Sequence, residues 1–191
     1  SRKHVITILM KIWVGVESEV ESIRDSIVKE YPYLSSDEQR CVHYCLACIA
    51  YPFYREQMNY LGKYLKMADT VKSKVLVSQI KSLYGDRRRV EVASSAVLAS
   101  SKDWGIINMV KPGVYSKTEN KLIVTDKLVK NLLIEVLMEH LSTNTVSIEM
   151  VNASALFFAF DYHITVGDID TKRFTIINNI RDTLIERNPQ N

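Results

Sequence analysis

Two amphipathic helical segments meet at a single glycine in the middle of this chain of 191 residues. In the first segment, which Thr70 can cap, apolar residues recur every three or four positions. These residues are Val71, Val75, Leu76, Ile80 and Leu83. Gly85 can adopt the left-handed conformation that ends a helix, and Asp86 directly after it is a good N-cap for a second helix over 87–103. The sequence therefore predicts two helices joined by a tight turn.

A β-hairpin is predicted directly after the second helix. The apolar run Ile106–Val110 is followed by the turn signal Lys111-Pro112-Gly113 and then by Val114–Ser116. Leu122–Val124 either continues the second strand of this hairpin or adds a third. The segment 70–124 is therefore predicted to form a helix, a turn, a helix and a hairpin in that order.

Positive charge is concentrated in the same part of the chain. Residues 55–130 contain 15 Lys and Arg against 7 Asp and Glu, a net charge of +8, whereas the rest of the chain has a net charge of −5. Arg87, Arg88 and Arg89 lie together at the start of the second helix. Neutralisation of DNA phosphates requires such a local excess, and arginine can hold guanine through two hydrogen bonds. A purely structural role is less favoured, because three cations at a helix N-terminus oppose the helix dipole.

Residues 70–124 resemble the winged helix-turn-helix DNA-binding superfamily. The motifs that carry the resemblance are the turn Tyr84-Gly85-Asp86-Arg87, the helix exit Asp103-Trp104-Gly105-Ile106-Ile107 and the wing Lys111-Pro112-Gly113-Val114-Tyr115. The resemblance implies that a first set of residues faces the major groove of double-stranded DNA: Arg87, Arg88, Arg89, Glu91, Ser94 and Ser95. It implies that Lys111, Tyr115 and Lys117 face the DNA backbone or the minor groove. The same fold also serves as a protein-interaction module, so the fold alone does not decide between these functions.

Helices are also predicted on the N-terminal side of this segment. Apolar residues at helical spacing predict one helix from Val5 and Ile8 to Val16 and a second that ends at Tyr31-Pro32. Ser35 and Glu38 fit a capping box that opens a third helix toward Ile49. A further helix over 53–67, with Gly62 as a close-packing point, would be the first helix of the winged-helix module. We therefore predict an N-terminal helical segment (1–50), a winged-helix domain (51–124) and a C-terminal helical segment (125–191).

The C-terminal segment is predicted to be helical as well. Thr125 can cap a helix over Asp126–Leu141 whose apolar residues occupy more than one face, so this helix must be buried on two sides. Either the rest of the chain or a second subunit of a homodimer can supply that burial. Residues 146–160 are expected to form another helix that ends in core phenylalanines. Residues 173–187 are expected to form a helix or a strand and a helix, with Ile177, Ile180 and Leu184 inward.

Two clusters of potential ligands have structural explanations. Cys41, Cys45 and Cys48 match the spacing of an iron–sulfur loop, but in a capped helix they line one face and behave as small buried hydrophobes. A zinc site that adds His43 would need ligands from a second element. Asp161, His163, Asp168 and Asp170 surround Gly167 in a predicted loop, where aspartate is common for turn formation. We expect no metal and no cofactor.

These features predict a mainly α protein in which a winged helix-turn-helix with a small β-wing is flanked by N- and C-terminal helices. The expected function is DNA binding, as a transcriptional regulator or as an accessory factor of a bacterial DNA-handling or defence system. The alternative is an adaptor whose winged helix contacts another protein. An enzyme is not expected, because no catalytic motif is present. No apolar run is long enough to span a membrane and no secretory signal is recognisable, so we expect a cytoplasmic protein.

Overall fold

A computed structural model describes residues 2–16, 18–178 and 182–189. As predicted, it is mainly α-helical with small antiparallel sheets. The helices are α1 (Arg2–Trp13), α2 (Ser18–Glu30), α3 (Ser36–Ala50), α4 (Pro52–Met67), α5 (Ser73–Tyr84), α6 (Arg88–Asp103), α7 (Lys127–Leu141) and α8 (Ile148–Asn152). The strands are β1 (Thr70–Lys72), β2 (Asn108–Lys111), β3 (Val114–Ser116), β4 (Leu122–Ile123), β5 (Thr145–Ser147), β6 (Phe160–Asp161), β7 (Phe174–Asn178) and β8 (Thr183–Arg187).

The chain divides into two units. Unit 1 contains Ser1–Tyr51, Ile123–Ser154 and Asp161–Asn191, and unit 2 contains Pro52–Leu122 and Ala155–Phe160. The predicted division at residues 50 and 124 stays a prediction. The predicted inward placement of Ile180, and of the Val5 and Ile8 side chains, lies outside the described residues.

Unit 1 is built from helices and one three-stranded sheet of order β5-β8-β7. The capping box that opens α3 is confirmed, because Ser35 Oγ accepts from the Glu38 amide and the Glu38 carboxylate accepts from the Ser35 amide. Cys41, Cys45 and Cys48 are fully buried along α3, as expected of small hydrophobes.

Helix α7 is buried on more than one side within the single chain. It packs on α2 and α3, and its nine buried residues include consecutive positions that point in different directions. These residues are Val129, Asn131, Leu132, Leu133, Ile134, Glu135, Val136, Leu137 and Met138. The burial that the sequence requires is therefore supplied by the chain itself and needs no second subunit at this helix. The predicted cap was wrong by one residue, because Asp126 and not Thr125 accepts from the first amides of α7.

Unit 2 contains the predicted pair of helices and the predicted hairpin. Strands β2 and β3 form an antiparallel pair, and β1 pairs with the other edge of β3, so the sheet order is β1-β3-β2. Helix α4 precedes β1 and packs on α5 and α6. The predicted close approach at Gly62 is confirmed, since a Cβ there would lie 1.9 Å from the Ala155 carbonyl oxygen.

The predicted start of the first helix in this pair was wrong. Thr70 does not cap a helix, because Thr70–Lys72 are the extended residues of β1 and pair with Ser116–Val114. Helix α5 therefore begins at Ser73. The third strand of the hairpin sheet is thus β1 and not Leu122–Val124. Strand β4 pairs with β6, and the Leu122 amide donates to the Ala159 carbonyl at 2.9 Å.

The C-terminal helices that were predicted beyond residue 145 are largely absent from the described residues. Residues 146–160 contain strand β5, the short helix α8 capped by Ser147, and a run of turns. In place of the predicted helix, Phe174–Asn178 and Thr183–Arg187 form an antiparallel pair of strands, β7 and β8. The β-branched residues of this segment favour strands, and the pairing partner that stabilises β5 lies near the end of the chain. The phenylalanines Phe157, Phe158 and Phe160 are buried, as predicted.

Candidate nucleic-acid interface

A glycine turn sets the angle between α5 and α6. Gly85 has φ +89°, a conformation that disfavours any residue with a Cβ, and its amide donates to the Lys81 carbonyl at 2.8 Å. The amide of Arg87 then donates to the Gly85 carbonyl at 3.0 Å, and α6 begins at Arg88. The predicted cap Asp86 was wrong: Arg87 occupies the N-cap position, where no side chain caps the helix.

The three arginines at this turn have different environments. Arg87 Nη2 donates to the Tyr84 carbonyl at 2.7 Å, so its guanidinium satisfies an acceptor in the last turn of α5, where a cation is favourable. Arg88 and Arg89 are exposed, and within the described ranges neither forms a hydrogen bond or ion pair through its guanidinium. Arg87 therefore has a structural role, whereas Arg88 and Arg89 are available for a ligand.

An ion-pair cluster connects residues on both sides of the same turn. Lys81 Nζ lies 2.9 Å from Asp86 Oδ1 and 3.4 Å from Glu91 Oε2. The hydrogen bond to Asp86 is the main reason that the pKa of Lys81 is raised. Glu91 is exposed as predicted, but its carboxylate is directed to Lys81 and would have to leave this cation to contact a base.

Two neighbouring serines of α6 differ in their exposure to solvent. Ser95 is exposed, and its hydroxyl donates to the Glu91 carbonyl at 3.0 Å. Ser94 is fully buried, and its carbonyl accepts from Gln57 Nε2 of α4 at 3.0 Å. The expectation that Ser94 faces a groove was therefore wrong. The signal was in the sequence, because Ser94 lies four residues from both Val90 and Leu98 on the apolar face.

The exposed face of α6 also contains residues outside the predicted contact set. Val92 is 59% exposed, and Ala96 and Ala99 are exposed on the same side as Arg88 and Ser95. Beyond the arginines, this face is therefore smooth, with short side chains. A helix of this kind can approach a groove or a partner surface closely.

The hairpin is tied to the start of α5. Gly113 has φ +73° at the hairpin turn, and its carbonyl accepts from the Ser73 amide at 2.8 Å. Of the predicted wing residues, Lys111 and Lys117 are exposed and Tyr115 is half-buried, paired with Val71 and Met109 across the sheet. The neighbouring strand β1 adds an exposed lysine, Lys72, opposite Val114. Helical periodicity does not predict this cation, because residues 70–72 form a strand and not a helix.

Charge differs between the two units. Unit 2 contains 13 Lys and Arg against 6 Asp and Glu, a net charge of +7, and unit 1 has a net charge of −4. The basic excess of the chain therefore belongs to the unit that contains α6 and the hairpin. Such a distribution is typical of proteins that contact the phosphates of nucleic acid.

The other candidate ligand clusters have internal partners. Asp168 accepts from the Thr165 amide and hydroxyl and pairs with Lys130 Nζ at 3.1 Å; burial alone would raise its pKa, but these contacts lower it. Cys41 Sγ and Cys45 Sγ are 4.0 Å apart, and burial raises the pKa of the Cys45 thiol. No set of three His, Cys, Asp or Glu side chains within the described ranges is arranged to hold a metal ion.

Comparisons with known proteins identify no relative of this chain. No family model matches the chain, and neither the curated proteins nor the solved structures contain a match. Among the residues that the structure describes, no helix combines the length and the apolar composition needed to cross a bilayer.

Proposed function

We propose that residues 52–122 form a winged helix-turn-helix that binds double-stranded DNA, with α6 as the recognition helix and the β2–β3 hairpin as the wing. The order α4, β1, α5, α6, β2 and β3, with the sheet order β1-β3-β2, supports this assignment. The observation that carries it is the pair Arg88 and Arg89, exposed and without a partner among the described residues, in a unit of net charge +7.

The exposure and the internal hydrogen bonds of these residues indicate which of them would contact DNA. Arg88, Arg89 and Ser95 would meet the major groove, and Lys111, Lys117 and Lys72 would meet the backbone beside it. Glu91 and Arg87 would act mainly within the protein, through Lys81 and the Tyr84 carbonyl. In the cell, the protein would act as a transcriptional regulator or as an accessory factor in bacterial DNA handling or defence.

An adaptor function is the second candidate. It is favoured by apolar side chains on the same surfaces, since Val92 of α6 is 59% exposed and Val110 of β2 is 60% exposed. Apolar side chains of this kind gain little from phosphates but can contact a protein partner or thymine methyl groups. The two candidates differ in the salt dependence that they predict.

Fluorescence anisotropy with duplex DNA over a range of salt concentrations tests the proposal. We expect that Arg88→Ala with Arg89→Ala weakens binding by about tenfold per arginine and lowers the slope of log K against log salt by roughly 2. The matched control is Lys29→Ala with Arg40→Ala, which removes two exposed cations from unit 1 and should leave binding nearly unchanged. Arg87→Ala should affect stability more than affinity, because Arg87 is bonded to α5.

Two results would contradict the proposed DNA-binding site. One is the absence of binding by the wild-type chain at low salt, which would favour the adaptor. The other is an equal loss of affinity in the control variant and the Arg88/Arg89 variant, which would mean that binding depends only on total charge.

A further inference from the structure

Helix α1 carries an exposed apolar stripe in unit 1. Ile6, Leu9 and Met10 are 50%, 42% and 51% exposed, and Val14, whose amide continues the helix by donating to the Met10 carbonyl at 2.9 Å, is 59% exposed. The opposite side of the helix packs against the rest of unit 1, because Ile12 on that side is only 1% exposed. The stripe therefore lies on a helix that is already packed on its other side.

The stripe ends at an aromatic pocket. A cavity of about 360 Å³ is lined by Trp13, Val28, Tyr31 and His43. The Trp13 indole N–H donates to His43 Nδ1 at 3.3 Å, and the Trp13 and Tyr31 rings meet edge to face at 5.3 Å. Because the indole N–H is bonded internally, the Trp13 ring presents apolar surface to the cavity. An apolar side chain is the group that such a pocket accepts best.

The exposed apolar area matches that of the largest patches on monomeric proteins. We define the α1 apolar surface as Ile6, Leu9, Met10, Val14 and Val28, all about half exposed. Together they present roughly 450 Å², within the range of the largest apolar patches on monomers, which are often functional. Two such surfaces would bury roughly 900 Å² of apolar area. If about 65% of a homodimer interface is apolar, the total is about 1,400 Å², the size of a stable specific interface.

We propose that the α1 apolar surface is the interface between two copies of this chain, in which α1 pairs antiparallel with α1 of the second copy. Ile6 and Val14 lie four residues on either side of Met10, so a two-fold axis at Met10 places Ile6 of one copy opposite Val14 of the other. The five residues of the surface are uncharged, and the neighbouring Lys11 directs its Nζ to the Tyr51 ring, 4.7 Å from the ring centroid. Each pocket beside Trp13 then receives an apolar side chain from the second copy.

The mass of the chain in solution is the first test. Light scattering across a concentration series should give twice the chain mass of 21.9 kDa, and Met10→Glu should return it to the monomer mass. Met150→Glu is the matched control, because Met150 is also in unit 1 and is 48% exposed but lies on α8. A wild-type chain that stays monomeric at high concentration overturns the proposal. A dimer that survives Met10→Glu also overturns it.

Two further measurements do not depend on loss of a dimer. Met10→Cys should form an interchain disulfide on mild oxidation, because position 10 lies at the proposed two-fold axis, and Met150→Cys should not. The three native cysteines should not form interchain disulfides, because they are fully buried. In a Trp104→Phe variant, Trp13 emission should shift to shorter wavelength as the concentration rises. A lack of cross-linking at Met10, or emission that is independent of concentration, counts against the interface. The inference does not rest on DNA binding, so each proposal can fail without the other.

Discussion

The Glu38 carboxylate joins two parts of unit 1 through five hydrogen bonds. One oxygen accepts from the Ser35 amide at 3.0 Å and the Ser35 hydroxyl at 2.7 Å. The other accepts from the Thr125 amide and hydroxyl, each at 3.0 Å, and from the Asp126 amide at 2.9 Å. A single side chain, 6% exposed, therefore completes the capping box of α3 and fixes the residues that precede α7.

These hydrogen bonds determine how much the ionised Glu38 side chain stabilises the folded state. Burial alone would raise the pKa of Glu38, but the hydrogen bonds from Ser35, Asp126 and Thr125 outweigh it and lower the pKa from 4.5 to about 2. A difference of about 2.5 pKa units between the folded and unfolded states corresponds to about 3 kcal/mol of stability. Because the folded-state pKa is the lower one, this stability is present above about pH 4.5 and is lost as the pH falls through about 2.

We therefore expect Glu38→Gln to lower the free energy of unfolding by about 3 kcal/mol at pH 7. Glutamine keeps one acceptor oxygen but directs an NH2 group toward donors at the other site. The difference from wild type should become small near pH 2, where about half of the wild-type carboxyl groups are protonated. Urea unfolding followed by circular dichroism between pH 2 and 7 measures this difference. The exposed Glu30→Gln is the control, and a Glu38→Gln effect that is small, or equal at pH 7 and pH 2, refutes the reasoning.

Two further predictions concern packing and buried charge. Gly62→Ala should destabilise unit 2 by about 3 kcal/mol, because its Cβ would meet the Ala155 carbonyl. Gly15→Ala is the control and should leave the melting temperature unchanged, because a Cβ there would make only ordinary van der Waals contacts at 3.9 Å; equal melting temperatures of the two variants would contradict the close contact at Gly62. Glu135→Ala should lower the free energy of unfolding, measured with urea, by about 3–5 kcal/mol, because it leaves buried cations unpaired. The fully buried Glu135 carboxylate lies 2.6 Å from Arg187 Nη2 and 3.4 Å from Arg173 Nη1. Adding Arg187→Leu should recover part of that loss, and no recovery would show that the unpaired cation is not its cause.

Features with local causes could be predicted from the sequence. The capping box at Ser35 and Glu38 depends on residues three apart, and the turn at Gly85 depends on one residue that tolerates positive φ. The errors in the type of secondary structure fall where a distant partner decides the conformation. Thr70–Lys72 became a strand because Val114–Ser116 pair with it. Residues 145–147 likewise form a strand because Leu184–Glu186 pair with them. The apolar spacing within residues 145–160 does not reveal this distant pairing partner.

In the candidate site, the sequence shows which residue types are present but not which side chains are already bonded to one another. The sequence identifies a basic turn but treats Arg87, Arg88 and Arg89 as equivalent, because composition does not show which guanidinium is already bonded. The contact of Arg87 with the Tyr84 carbonyl removes one cation from the surface available to DNA. Lys81 likewise holds Glu91 across the turn and so neutralises an acidic residue that would otherwise oppose phosphate. The pairing of Glu91 therefore reduces its repulsion of DNA phosphates, whereas the bonding of Arg87 removes one cation from the candidate interface. The affinity for DNA should depend on Arg88 and Arg89 more than on the three-arginine run as a whole.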